Sequence, residues 1–525
     1  MPSWLIKIAP IFILLAVVGI VIARLPSVDG INHSADYKRR RVMNWLPLGL
    51  TYAFLYMGRY NLKVSKLAFG EMPNSLGDPM MGNDDFGWIF GVGTAVYGCS
   101  FLINGPLTDK YGGKLAILMG AGGSALMNGL MGLCTYILVT GAPADGVPAS
   151  DNYLLIADNF RAIFSVLYAL NMYFQAFGAV SVVKVNAPWF HVRERGVFGA
   201  IFGILISLGV YFAFDWGYAI VKNLPLQYVF WIPTTILGVL WFVCLGIVRN
   251  SPAEAGFKDF DLGDGKAGDE EDKSVVEVFR LMLTNPIIMT IAAIEFCSGF
   301  LRQAIMQWYR EFAKQTDMVL HLKEGFVYDN WGLLLCCAGI MGGVCAGIIS
   351  DYFFQSRRGP VAAILYAGML VGSIVLLLTY NNPYFITLIE STGEGQMIIS
   401  TTGMLVVLMS MFVIGVHGML SGTASMDFGG RKNVGVAVGI IDGFVYAGTA
   451  LMSFTYAFTL PEAELDPVTH KYIGESTNPD NWTAWPGFMI PFALFGLLLS
   501  TRVWNAKPKS AKPPAAGGVE SQTEA

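Results

Sequence analysis

The sequence predicts an all-α integral membrane protein made of two six-helix bundles, and three observations carry that prediction. Of 525 residues, 54% are hydrophobic and 14% charged, against about 25% charged in a soluble domain. Twelve apolar stretches recur along the chain, each long enough, at about 1.5 Å per helical residue, to cross about 30 Å of hydrocarbon. One pattern occurs twice: Asp109 follows Arg59 by 50 residues, and Asp351 follows Arg302 by 49. Each arginine interrupts an apolar run, and each aspartate lies just past the next one. The chain therefore reads as a duplicated bundle with one intramembrane cation per half.

The first six spans fall near 45–67, 86–105, 115–139, 160–185, 197–220 and 227–248. The second six fall near 286–309, 329–350, 360–379, 397–420, 433–458 and 483–503. They divide the chain into an N-terminal apolar segment (1–37), an N-terminal bundle (38–248), a linker (249–285), a C-terminal bundle (286–504) and a tail (505–525). The linker is acidic and Gly-rich through Asp259–Asp272, as a solvated connection should be. The tail is rich in Ala, Pro and Lys and has little to bury. The run 8–23 is short for a span, and an anchor, a thirteenth helix and an interfacial helix stay open for it. Basic residues cluster in one set of loops, among them Lys38–Arg41, Lys110 with Lys114, Arg357 with Arg358, and the linker. The opposite loops carry Lys222, Arg310, Lys314, Lys323 and Lys471. The first set should face the cytoplasm, with both bundle ends inside and the protein in the cell (inner) membrane.

Other function classes find no support. The seven cysteines (99, 134, 244, 297, 336, 337 and 345) lie in apolar stretches without metal-ligand spacing. The glycine runs near Gly91 and Gly120–Gly123 lack the strand that a dinucleotide loop requires. No nucleophile–base pair appears. The expectation is no enzyme, no cofactor, no metal and no nucleic acid, with a monomer in a lipid bilayer.

The first span points to a ligand. Tyr52, Tyr56, Arg59, Lys63 and Lys66 recur at steps of four and three, which places them on one side of a helix. Lipid does not tolerate such a face, so it must line a hydrated space, and three cations there attract an anion. In span 7, Glu295, Ser298 and Arg302 share a side, with Gln303 and Gln307 nearby. A guanidinium suits an oxyanion that takes two parallel hydrogen bonds, phosphate above all. The competing reading makes each arginine a structural ion-pair partner, with Glu295 as the candidate for Arg302. His417 and Asp442 are further intramembrane groups able to titrate during transport. Lys184 near the end of span 4 is expected to reach for the interface.

The decapeptide Gly105–Lys114 resembles the loop 2–3 signature of the major facilitator superfamily, with a degenerate copy at Gly347–Arg358. That resemblance implies the major facilitator fold and makes Asp109, Lys114 and Asp351 gating residues. Further motifs are similar to the organophosphate:phosphate antiporters, which carry glycerol 3-phosphate and hexose phosphates. They are Tyr52-x3-Tyr56-x2-Arg59-x-Asn61, Tyr97-Gly98-x-Ser100, Phe174-Gln175 through Trp189 to Glu194-Arg195-Gly196, Arg249-x-Ser251-Pro252-x3-Gly256, Arg302 with Trp308, and Gly439-Ile440-Ile441-Asp442-Gly443. The resemblance implies that Arg59 and Arg302 bind phosphate, with Tyr52 and Tyr56 as supporting donors; Lys63, on the same stripe, is a further substrate contact in place of a cation that the family carries and this chain lacks. It also implies exchange of a phosphorylated metabolite for inorganic phosphate. Departures at Phe101, Ile206, Cys336 and Gln307 leave the organic part of the substrate open. A proton-coupled organic-anion symporter using Glu295, His417 or Asp442, and a transporter-like sugar-phosphate sensor, remain the alternatives.

Overall fold

The computed structural model describes residue 19 and residues 33–143, 148–191, 195–258, 275–354, 357–382, 400–424, 434–466, 469 and 471–506. Apart from residue 19, the apolar run 8–23 lies outside these, as do the acidic linker stretch 259–272 and the tail beyond 506. Twelve long helices follow in order: α1 (Ala35–Gly70), α2 (Asn83–Tyr111), α3 (Gly113–Gly141), α4 (Phe160–Asn186), α5 (Arg195–Tyr211), α6 (Tyr228–Ile247), α7 (Pro286–Gln315), α8 (Trp331–Ile348), α9 (Arg358–Thr379), α10 (Thr401–His417), α11 (Val434–Thr459) and α12 (Ala484–Arg502). Local signals set their starts. Ser34 caps α1 by accepting from the Tyr37 N–H. Asn285 caps α7 by accepting from Ile287 and Ile288, with Pro286 in the first turn, where it lacks only a hydrogen bond the helix does not need.

Among the described residues, ten helical spans are long and apolar enough to cross a membrane by length and composition. Helices α1 and α11 are the two long helices outside this set. The packing repeats with a shift of six. Helix α1 touches α4, α5 and α6; α2 touches α4; α3 touches α4 and α6. Likewise α7 touches α10, α11 and α12; α8 touches α10; α9 touches α10 and α12. The halves meet through α2 against α11 and α5 against α8. In the central helices α7 and α2, 67% and 61% of the apolar window is buried, against 22% in α6 and 33% in α12. The outer helices show lipid a row of apolar side chains, including Leu126, Phe242, Leu378 and Phe495.

Two glycines explain features of the sequence motifs. Gly112 holds φ 87° in the one-residue turn between α2 and α3, where a side chain is disfavoured. Its neighbour Lys114 donates its backbone N–H to Asn250 Oδ1 at 2.8 Å. Gly98 on α2 and Gly443 on α11 face each other across the halves: a Cβ on Gly98 would lie 3.0 Å from the Gly443 carbonyl oxygen. Small residues let two backbones approach this closely where lipid drives no helix association.

Candidate functional site

Arg59 is 1% exposed and held by neutral groups. Its Nε donates to Gln175 Oε1 at 3.0 Å, one Nη to the Tyr446 hydroxyl at 3.1 Å and the other to the Tyr97 hydroxyl at 2.8 Å. The guanidinium carbon lies 4.6 Å from the ring centres of both Tyr56 and Tyr97. Tyr446 belongs to α11 in the other half, so this arginine already spans the interface. Gln175 is anchored by Asn171 Oδ1 and Ser124 Oγ, which accept from its Nε2 at 3.2 and 3.3 Å. Three of the five N–H groups of a guanidinium are thus used and two remain.

Arg302 comes from α7. Its Nε is buried without a hydrogen-bond partner. It lies within electrostatic range of Tyr446, Tyr60, Tyr56 and Glu295, and Tyr56 and Tyr446 also sense Arg59. The two arginines, one from each half, therefore share a set of tyrosines. Tyr52 is buried with its ring edge-on to Tyr56 at 5.7 Å. The ion-pair reading for Arg302 finds a different geometry: Glu295 Oε2 lies 2.8 Å from His417 Nδ1. Asp442 accepts from the Ser421 hydroxyl at 2.5 Å and lies within range of His417, Glu295 and Arg302.

Lys63 has a different environment from the one its stripe suggests. Its Nζ lies 2.9 Å from Glu311 Oε1, and Lys66 Nζ lies 3.0 Å from Glu311 Oε2. One carboxylate of the second half thus sits between two ammonium groups of the first. All three are buried, so the pairing offsets a desolvation that none would survive alone. Lys63 also lies over the Phe86 ring at 4.8 Å. Lys66 further donates to Asn83 Oδ1 at 2.6 Å, and Asn83 donates to Gln315 Oε1 and to the Pro461 carbonyl at 3.2 and 2.6 Å. Nearby, Asp215 accepts from the backbone N–H groups of Gly332 and Leu333 at 3.0 and 2.9 Å, putting an anion at the N-terminus of α8. Arg310 is sandwiched between Tyr218 and Tyr328, at 3.6 and 4.0 Å. The contacts of Glu311 with Lys63 and Lys66, of Asn83 with Gln315 and Pro461, of Asp215 with Gly332 and Leu333, and of Arg310 with Tyr218 join the halves at the end remote from the basic loops.

At the basic end, Lys184 Nζ lies 2.5 Å from Asp109 Oδ1, within one half and with both side chains half exposed. Such a pair contributes little to stability. Among the described residues no ion pair joins the two halves at this end. Asp351 lies in the π-helical turn Ile349–Phe353 that ends α8; its side chain is outside the described ones.

The residues that sequence reasoning left without a role are Tyr97, Gln175, Tyr446, Asp215 and Glu311. Tyr97 and Gln175 stood inside quoted motifs. Tyr446 follows Asp442 by one helical turn. Glu311 continues a stripe at steps of four, Gln303, Gln307, Glu311 and Gln315, in which Gln307 donates to Gln303 at 2.9 Å and Gln315 to Glu311 at 3.3 Å.

Two bundles repeat one packing pattern, and each brings an arginine to a shared set of tyrosines. Residues 48–453 match the Major Facilitator Superfamily, and the chain belongs to that superfamily. It is 24% identical over 453 residues to the glycerol-3-phosphate transporter of Bacillus subtilis, covering 81% of this chain and 88% of that one. It is 20% identical over 498 residues to a probable hexose phosphate transport protein of Chlamydia trachomatis, covering 91% and 94%. It is 22% identical over 441 residues to the membrane sensor protein UhpC of Escherichia coli, covering 81% and 86%. These relatives all fall in the organophosphate:phosphate antiporter family. A crystal structure of a D-xylose-proton symporter shares the fold, with a TM-score of 0.54 at 14% identity over 87% of this chain and 96% of that one. The protein is a multi-pass membrane transporter.

Proposed function

We propose that the protein exchanges a phosphorylated metabolite for inorganic phosphate by alternating access. The observation that carries this is the pair of arginines: one guanidinium from each half, among shared tyrosines, with spare donors and no carboxylate bonded to either among the described residues. A dianion bound between them offsets two like charges and draws the halves together. An empty carrier has to bring Arg59 and Arg302 together unneutralised, so exchange outruns net flux. The halves, 38–248 and 286–504, rock around this site. Lys38–Arg41, the linker and the tail lie in the cytoplasm, the protein acts as a monomer in the cell membrane, and the closed end is the outer one. The Lys63–Glu311–Lys66 cluster and the Asp215 cap hold that end shut.

The test is uptake into proteoliposomes. Vesicles loaded with phosphate should take up glycerol 3-phosphate or glucose 6-phosphate many times faster than vesicles without it. Uptake indifferent to internal phosphate removes the exchange. A second reading rests on the Glu295–His417 contact at 2.8 Å with Asp442 close by: a proton-coupled organic-anion symporter, which predicts uptake driven by a pH gradient with no phosphate present. A sugar-phosphate sensor would bind the same ligands with little turnover.

A further inference from the structure

We propose that Asn171 is a positioning residue for the anion site: it fixes the Arg59 guanidinium from behind, through Gln175 and through the backbone of α1, and so sets how tightly the first half holds its ligand. This rests on the phosphate site proposed above. Asn171, Gln175, Ser124, Asn128 and Asn61 are each at most 1% exposed. Asn171 Nδ2 donates to the Gly58 carbonyl at 3.0 Å, one residue before Arg59. Its Oδ1 accepts from Ser124 Oγ at 2.6 Å, Asn128 Nδ2 at 3.0 Å and Gln175 Nε2 at 3.2 Å. Asn61, two residues after Arg59, donates its Nδ2 to Asn128 Oδ1. Three amides from α1, α3 and α4 thus form a path that leaves α1 just after Arg59 and returns just before it. On α4, Tyr168, Asn171 and Gln175 recur at steps of three and four, which puts them on one side of that helix. Tyr168 donates to the Arg59 carbonyl at 2.9 Å, so this side of α4 holds the backbone and the side chain of Arg59 together.

The two ends of the network fix its direction. A guanidinium only donates, so Gln175 has to turn Oε1 toward Arg59 Nε. Its Nε2 then needs an acceptor, which Asn171 supplies. The Gly58 carbonyl only accepts, so Asn171 has to meet it with the amide nitrogen. An amide at position 171 answers both demands, and a leucine answers neither. A guanidinium held in place before the ligand arrives loses less freedom on binding, and that raises affinity without any new contact to the ligand. Polar side chains also join helices in a membrane without serving a ligand. That simpler role would not depend on which cation stands at position 59.

The experiment is equilibrium binding of labelled inorganic phosphate to the purified full-length protein, with Asn171→Leu made both in the unaltered chain and in Arg59→Lys. In the unaltered chain, Asn171→Leu should weaken binding roughly five- to fiftyfold, the effect of leaving buried partners unpaired. In Arg59→Lys there is no fork left to orient, and the same change should weaken binding less than about twofold. If the leucine variant does not fold, Asn171→Ser replaces it with the same two expectations: serine is well tolerated between membrane helices but too short to bridge Gln175 and Gly58. Unchanged affinity in the unaltered chain overturns the proposal. So does an equal loss in both backgrounds, which would make Asn171 a packing residue. Failure of labelled phosphate to bind the unaltered protein removes the phosphate site itself, a separate result seen before any substitution is read.

Discussion

Arg59 meets neutral partners only: an amide and two phenols take its hydrogen bonds, and two aromatic rings flank its plane. Neutral acceptors fix the orientation of a guanidinium without cancelling its charge, so the field of the cation stays available to a ligand. The same logic separates Arg59 from Lys63, four residues on, which is ion-paired with Glu311. Spacing alone placed both on one helical side and could not tell them apart, because Glu311 lies in the other half of the chain. Tyr446 is the partner of Arg59 contributed by that half. Tyr446→Phe removes one hydrogen bond to a charged group and should weaken phosphate binding by about 1.5–3 kcal/mol, read by titration with labelled phosphate. Unchanged affinity would show that the tyrosine does not orient the arginine.

At the scale of elements, α1 and α7 each present a polar stripe to the other half. The stripe of α1 was legible as steps of four and three. On α7 the spacing of Glu295, Ser298 and Arg302 was legible, with Gln303 and Gln307 nearby, and the continuation through Glu311 to Gln315 emerges when the two helices face each other. The close approach of α2 and α11 was likewise written in Tyr97-Gly98 and Asp442-Gly443, yet no local signal says which helix a glycine faces. The outer closure depends on charge placed across these elements. Glu311→Gln leaves Lys63 and Lys66 buried and unmatched, a loss of about 3–5 kcal/mol for breaking a buried pair. Asp215→Asn removes the anion at the start of α8, worth about 0.3–1 kcal/mol. With spin labels at the exposed positions Lys222 and Asp329, Glu311→Gln should shift the distance distribution strongly to longer values and Asp215→Asn should shift it slightly. A distribution unmoved by Glu311→Gln would mean that the cluster does not hold the closed end.

At the scale of the molecule, the duplication visible in Arg59–Asp109 and Arg302–Asp351 reappears as one packing pattern repeated with a shift of six helices. Fold class was legible because membrane solvation forces long apolar helices on the sequence. Cross-half partners were not, since contacts such as Arg59 to Tyr446 join residues 387 positions apart. The same architecture yields a kinetic prediction: with equal phosphate on both sides, labelled phosphate should exchange at least about tenfold faster than it leaves vesicles in phosphate-free buffer, because the unloaded site resists closure. Equal rates would mean that reorientation does not require the anion.

Both arginines should grip one phosphate. Equilibrium binding of labelled phosphate to the intact protein and to Arg59→Lys, Arg302→Lys and the double variant measures this directly. Lysine keeps the charge and loses the two-pronged donor. The expected result is one phosphate per chain, a loss of roughly 30- to 150-fold in affinity in each single variant, and coupling between the two substitutions in the double variant. Either single variant binding phosphate as tightly as the unaltered protein would contradict it.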